Sequence, residues 1–117
     1  LNIFDRIEPD GVIVRGSMHD YPDRQPGAED VALVVEAADT TLSRDRGIKK
    51  RVYAAAKLPV YWIVNLVERQ VEVYTDPTGP APIPDYRQRR DHGPEDEVPL
   101  VLDGREVARL AVRELLP

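Results

Sequence analysis

Apolar residues gather in two nearly unbroken runs, 31–37 (VALVVEA) and 60–66 (VYWIVNL), and elsewhere alternate with polar ones or give out. Runs of this length and density suit strands covered on both faces. In the first run, alternation sets Val34 and Glu36 on one face and Val35 and Ala37 on the other. Glu36 closes the run and is expected at the rim of the sheet. Residues 9–15 (PDGVIVR) predict an earlier short strand, and 17–30 (SMHDYPDRQPGAED) read as a loop. Between the two runs, Ser43 is the expected N-cap of a helix through about Ala56, with Asp39, Thr40 and Thr41 as other cap candidates. Ile48, Val52, Ala55 and Ala56 follow helical spacing and predict the buried face. Gly47 costs this helix about 1 kcal/mol against alanine, which suggests the close approach of another backbone. Leu58-Pro59 is expected to end it.

After the second run, VERQ turns the chain. VEVYTD then pairs back, with Val71 and Val73 on one face and Glu72 and Tyr74 on the other. Four prolines in 76–85 predict an extended loop. VPLVL, the turn pair Asp103-Gly104 and EVARLAVREL predict a terminal hairpin, although ARLAVREL also fits a helix. The order is strand, loop, strand, helix, strand, strand, hairpin: an α/β sheet with a crossover helix.

Composition narrows the class. At 117 residues the chain is expected to form one domain, 1–117, and no apolar run approaches the length that spans a bilayer. Without cysteine there are no disulfides or thiolate metal sites, and a cytoplasmic home is the default expectation. The net charge of −5 argues against broad electrostatic attachment to nucleic acid. Even so, 44–51 (RDRGIKKR) holds five basic residues and one acid, a local positive face. A start at Leu1 followed by LNIFDRI suggests that sequence preceding it has been left out.

EPDGVIVRG and then EDVALVVEAADTTLSRDRGIKKRVYAAAKLPVYWIVNLVERQVEVYTDP resemble the Uma2 restriction-endonuclease family of the PD-(D/E)XK nuclease superfamily. The likeness spans roughly residues 8–77. It rests on Pro-Asp before a strand, an apolar run ending Val-Glu, an Asp-Arg-x-x-Lys-x-x-x-Tyr helix, and Tyr-Trp-x-Val. It implies a restriction-endonuclease-like mixed β-sheet flanked by helix, with the family's N-terminal helix missing from this chain. The implied acids are Asp10 and Glu36, both metal-binding, and the implied catalytic lysine is Lys49; Asp45 and Tyr53 match further recurrent positions. The superfamily's usual lysine place is Ala38 here, so the amine must come from the helix.

The implied activity is hydrolysis of DNA phosphodiester bonds with Mg²⁺, or Mn²⁺ in its place. A hard cation held by one or two carboxylates activates water and neutralises the developing charge. Lys49 would orient or deprotonate that water or stabilise the transition state, and Lys50 is a rival for the role. A homodimer would place one site on each strand of a duplex.

Each residue also has a structural reading. Asp10 between proline and glycine has turn composition, whereas a carboxylate ending an apolar run is costly to leave unpaired. By spacing alone, Asp45 and Lys49 are a solvated i,i+4 ion pair worth about 0.3–0.5 kcal/mol, and the resemblance reverses that reading. Tyr53, Tyr61 and Trp62 read as core-filling aromatics, His19 and His92 as loop residues, and Arg87, Arg89 and Arg90 as a solvated cluster. Asn65, Lys57 and Val60 depart from the family's frequent Asp, Gly and Glu. Two other functions therefore stand beside the nuclease: an inactive nuclease-fold module binding nucleic acid or protein, and a dimerisation domain using the VYWIV/VEVY sheet.

Overall fold

A computed structural model describes residues 9–16 and 27–117. Strand β1 (Gly11–Val14) leads to β2 (Val31–Ala38), which is entered through a single 3₁₀ turn, Ala28–Asp30. The crossover is helical throughout but not uniform: α1 (Leu42–Arg44), a π-helical turn Asp45–Lys49, then α2 (Lys50–Ala55). Next come β3 (Val60–Asn65), β4 (Gln70–Pro77) and β5 (Tyr86–His92), then β6 (Glu97–Leu102), β7 (Arg105–Ala111) and a terminal turn α3 (Val112–Leu115).

The first five strands form one mixed sheet in sequence order; β2 and β3 are parallel and all other neighbours antiparallel. The parallel pair is the one joined by the crossover helix, as a parallel pairing requires. This is the restriction-endonuclease-like α/β architecture expected of the sequence. All six residues of β3 are buried, because β2 and β4 flank it and both faces are covered. That removes VYWIV as a dimerisation surface.

The sheet separates two cores. Val34, Tyr61, Ile63 and Tyr74 face the crossover helix, where they meet Tyr53, Ala54 and Leu58. Leu33, Trp62, Val64 and Val71 face the other way, against Val98, Val112 and Leu116 from the terminal hairpin and α3. Val60 packs in this second core, on the face of the sheet away from Glu36.

Several expectations are corrected. The helix begins at Leu42 with Thr41 in the cap position, and Ser43 lies inside the first turn. Its inner face carries Asp45, Tyr53 and Ala54, whereas Ile48 is 64% exposed. Leu42 before the π turn and Tyr53, Ala54 and Ala56 after it pack on the same core, while Ile48, inside the turn, faces outward. A Cβ on Gly47 would meet nothing within 4 Å, so among the described residues no backbone approaches it.

The helix ends at Ala55, with Ala56 as its C-cap, two residues short of Leu58-Pro59. Lys57 takes a left-handed conformation (φ 63°), with Lys57 N–H donating to Ala54 and Leu58 N–H to Tyr53. That is a Schellman cap, closed by the contact of Leu58 with the core that holds Tyr53.

The basic cluster 87–90 and His92 belong to strand β5, paired to β4 along its length, and not to a loop. Its composition hides it: an edge strand with one buried residue, Tyr86, shows no apolar alternation. The terminal hairpin turns at Asp103 and Gly104, both at positive φ, and its last residues become α3. Of the predicted loop 17–30, residues 17–26, His19 among them, lie outside the described residues, and its end is the 3₁₀ turn Ala28–Asp30.

Candidate active site

Glu36 is the sixth residue of β2 and points to the helix-covered face, where it is 1% exposed. It is roofed by the crossover helix and does not sit at an open rim. Three donors converge on it. The main-chain N–H of Asp10 donates to Oε1 at 3.1 Å, the Tyr53 hydroxyl to Oε2 at 2.9 Å, and Lys49 Nζ stands 3.0 Å from the same Oε2. Asp10 returns the contact: its Oδ2 accepts the N–H of Ala37 at 2.7 Å. The antiparallel register of β1 on β2 puts Gly11 opposite Val35, and Asp10 is therefore carried alongside Glu36.

The helix supplies the amine. Lys49 ends the π turn and bridges Glu36 and Asp45, whose Oδ1 is 3.2 Å away. Asp45 is 1% exposed, so this pair is not the solvated bridge that spacing alone suggests. Thr41 donates its hydroxyl to Asp45 Oδ2, and the Tyr61 hydroxyl donates to the Asp45 carbonyl. Asp45 Oδ1 is buried with no well-directed hydrogen bond among the described residues, and the Lys49 ammonium alone compensates it. Burial pulls the Lys49 pKa down, but the close carboxylates of Glu36 and Asp45 outweigh it and hold the amine above its usual range. Burial first, and then Glu36, raise the Tyr53 phenol well above its ordinary value, so it remains a donor.

Asp10, Glu36, Lys49, Asp45 and Tyr53 are thus gathered at one corner. Lys50 is not: it pairs with Asp85 at 3.1 Å and lies over the Tyr74 ring. A cleft of about 570 Å³ among the described residues lies elsewhere, lined by Val60, Trp62, Val73 and Arg90 between the opposite face of the sheet and the terminal hairpin.

A third buried acid lies two strands from Glu36. Glu36, Ile63 and Glu72 stand opposite one another on β2, β3 and β4, so both acids lie on the same face two strands apart. Glu72 is fully buried and receives Arg46 Nε at 3.0 Å and Arg46 Nη2, the Tyr74 hydroxyl, and the side-chain amides of Asn65 and Gln70. Burial pushes its carboxyl up, but these donors, Arg46 foremost, bring it down to about 2. Glu72 and Arg46 were not among the sequence candidates. The available signal was the alternation in VEVY, which already put an acid on the face shared with Tyr74.

The donor chemistry suits a hard divalent cation. Exposed Asp10 commits only Oδ2 among the described residues, whereas both Glu36 oxygens already accept donors, so Glu36 would reach a cation only by exchanging one of them. The described residues contain no cluster of three or more acidic or histidine side chains fit to hold a metal. Two carboxylates, with water and phosphate oxygens completing the shell, is a common Mg²⁺ arrangement and a poor one for zinc.

Comparison with family models matches residues 3–113 to Uma2, described as "Putative restriction endonuclease". No curated protein matches the chain.

Proposed function

The chain belongs to the Uma2 family, and we propose that it is a metal-dependent endonuclease that hydrolyses DNA phosphodiester bonds. One observation carries the reading: Lys49 Nζ stands 3.0 Å from Glu36, whose other oxygen is tied to Asp10. Two acids from neighbouring strands and an amine from the crossover helix share one corner.

In this reading Asp10 and Glu36 hold Mg²⁺, which when bound polarises the phosphate and acidifies its water. Lys49 keeps a compact positive charge beside the carboxylates and orients the attacking water or stabilises the charge of the transition state. Tyr53 and the Asp10 N–H fix the rotamer of Glu36, and Asp45 steadies the lysine from the other side. One domain per chain, paired as a homodimer, would deliver a site to each strand of a duplex.

A second reading, an inactive nuclease-fold module, is favoured by the seclusion of Glu36, which is sealed by three donors. Plasmid nicking separates the two. With Mg²⁺ or Mn²⁺ the wild type nicks DNA, EDTA stops it, and Glu36→Ala and Lys49→Ala are inactive. Equal nicking by wild type and Glu36→Ala would mean a contaminant and would discard the site. DNA binding without cleavage would select the second reading.

A further inference from the structure

The Glu72 network lies outside the set of residues assigned above. We propose that Arg46 and Glu72 form a positioning pair for Lys49, setting the rotation of the π turn so that the amine meets Glu36. The inference rests on the nuclease reading for its purpose, though not for its geometry.

The argument begins with the sheet. Glu36 and Glu72 occupy one cross-strand row with Ile63 between them, roughly 10 Å apart at two strand spacings. Above that row, Arg46 and Lys49 are three residues apart within the π turn Asp45–Lys49. Lys49 reaches the first acid and Arg46 the second. The helix is also held by Tyr53 on Glu36 and by Tyr61 on the Asp45 carbonyl. Arg46 on Glu72 adds a polar anchor two strands away from the Lys49 contact, and the two together fix the rotation of the π turn between them. The phase that the π turn imposes is therefore locked, and with it the height of Lys49 above Glu36.

Stability alone does not account for the pair. Glu72 is buried while the Arg46 side chain is 31% exposed, and an ion pair that buries a charge is often no better than apolar residues of similar volume. What a satisfied polar network offers is one geometry. Arg46 binds Glu72 through two nitrogens, and its Nη2 also reaches Glu68 at 3.3 Å. Tyr74, Asn65 and Gln70 hold Glu72 from the sheet side, and Asn65 is itself fixed by accepting the N–H groups of Val67 and Glu68. Every bond in the set constrains the carboxylate that Arg46 must meet. A fixed fork is what arginine provides and lysine does not. π turns are frequent at functional sites, which agrees with this one carrying the amine.

The test compares wild type with Glu72→Gln and Arg46→Lys, both of which keep a polar side chain. Plasmid nicking, normalised to folded protein, is expected to show kcat lowered about 10- to 100-fold, the scale of a misplacement near one ångström, with KM for DNA within about twofold. Arg46→Lys should lose less than Glu72→Gln, since it keeps the charge without the fork. Independently of cleavage, reductive methylation of Lys49 read by mass spectrometry, relative to exposed Lys57, should quicken several-fold in both variants as the amine leaves its acids. Unchanged kcat and unchanged Lys49 methylation in variants that remain folded would overturn the proposal, even if both melt earlier. If the wild type itself does not cleave, the nuclease reading fails, and the methylation ratio still decides whether Arg46 and Glu72 position Lys49.

Discussion

Tyr53 donates its hydroxyl to Glu36 Oε2 at 2.9 Å, from a ring that is wholly buried against the sheet. The ring meets Tyr61 edge-on at 5.0 Å, so the tyrosine joins the apolar core to the candidate site. A residue that reads as core filling in the sequence therefore also orients the central acid.

Tyr53→Phe is predicted to keep the packing and lose the bond. Glu36 retains Lys49 and the Asp10 N–H, so the acceptor is not orphaned. The expected cost is about 1 kcal/mol by urea denaturation, with nicking reduced several-fold. An unchanged rate would show that Lys49 and Asp10 suffice to orient Glu36.

Asn65→Asp restores the residue frequent in the family, yet here it should destabilise. The Asn65 amide donates to Glu72 at 2.8 Å, and a carboxylate there would place two buried acids in contact. A loss of about 1–3 kcal/mol is expected at pH 7, shrinking as the pH falls and one acid takes up a proton. Denaturation at pH 7 and pH 5 checks this; a deficit equal at both would remove charge repulsion as the cause.

Acid should weaken the fold through Glu72. Its carboxyl is depressed from 4.5 to about 2 in the folded protein, so the unfolded chain binds the proton more readily. The contribution, about 3 kcal/mol at most, is fully present above pH 4.5 and disappears as the pH falls toward 2. Glu72→Gln should flatten that limb of the stability profile.

Lys57 holds a left-handed conformation at the helix stop, φ 63°, which costs a side-chain-bearing residue about 1 kcal/mol. Lys57→Gly should recover most of that. Some of the gain is lost with the lysine stem, which packs over Gly79. A melting temperature raised by a few degrees is the expected result, and a lowered one would mean that the stem contact outweighs the backbone strain.

Divalent metal should stabilise the folded protein through the two acids. At a concentration 100-fold above the dissociation constant the gain is about 2.7 kcal/mol. The melting temperature should rise with Mg²⁺ or Mn²⁺ in the wild type and not in Asp10→Ala or Glu36→Ala. An equal rise in all three would place the ion elsewhere.

Much of the strand order could be read from local pattern. The runs around Val34 and Tyr61 are apolar at nearly every position because both faces are covered, and that demand falls on each residue separately. Alternation correctly assigned Glu36 and Glu72 to their faces, and the family likeness singled out Asp10, Glu36 and Lys49 as a set. Strand β5 was hidden, because an edge strand of exposed arginines takes its structure from pairing with β4 and not from its own side chains. The inner face of the helix differs from the apolar spacing for another reason: Asp45 takes a buried position by pairing with Lys49, while Ile48 stays exposed.

By itself the sequence determined which segments are buried, where the chain turns and which residue types could work on a phosphate, since each of these is a property of neighbouring residues. Only the tertiary structure decided that Lys49 meets Glu36 while Arg46 meets Glu72. Those contacts depend on the register of three strands and the rotation of one helix, and both are set by packing between segments far apart in the chain.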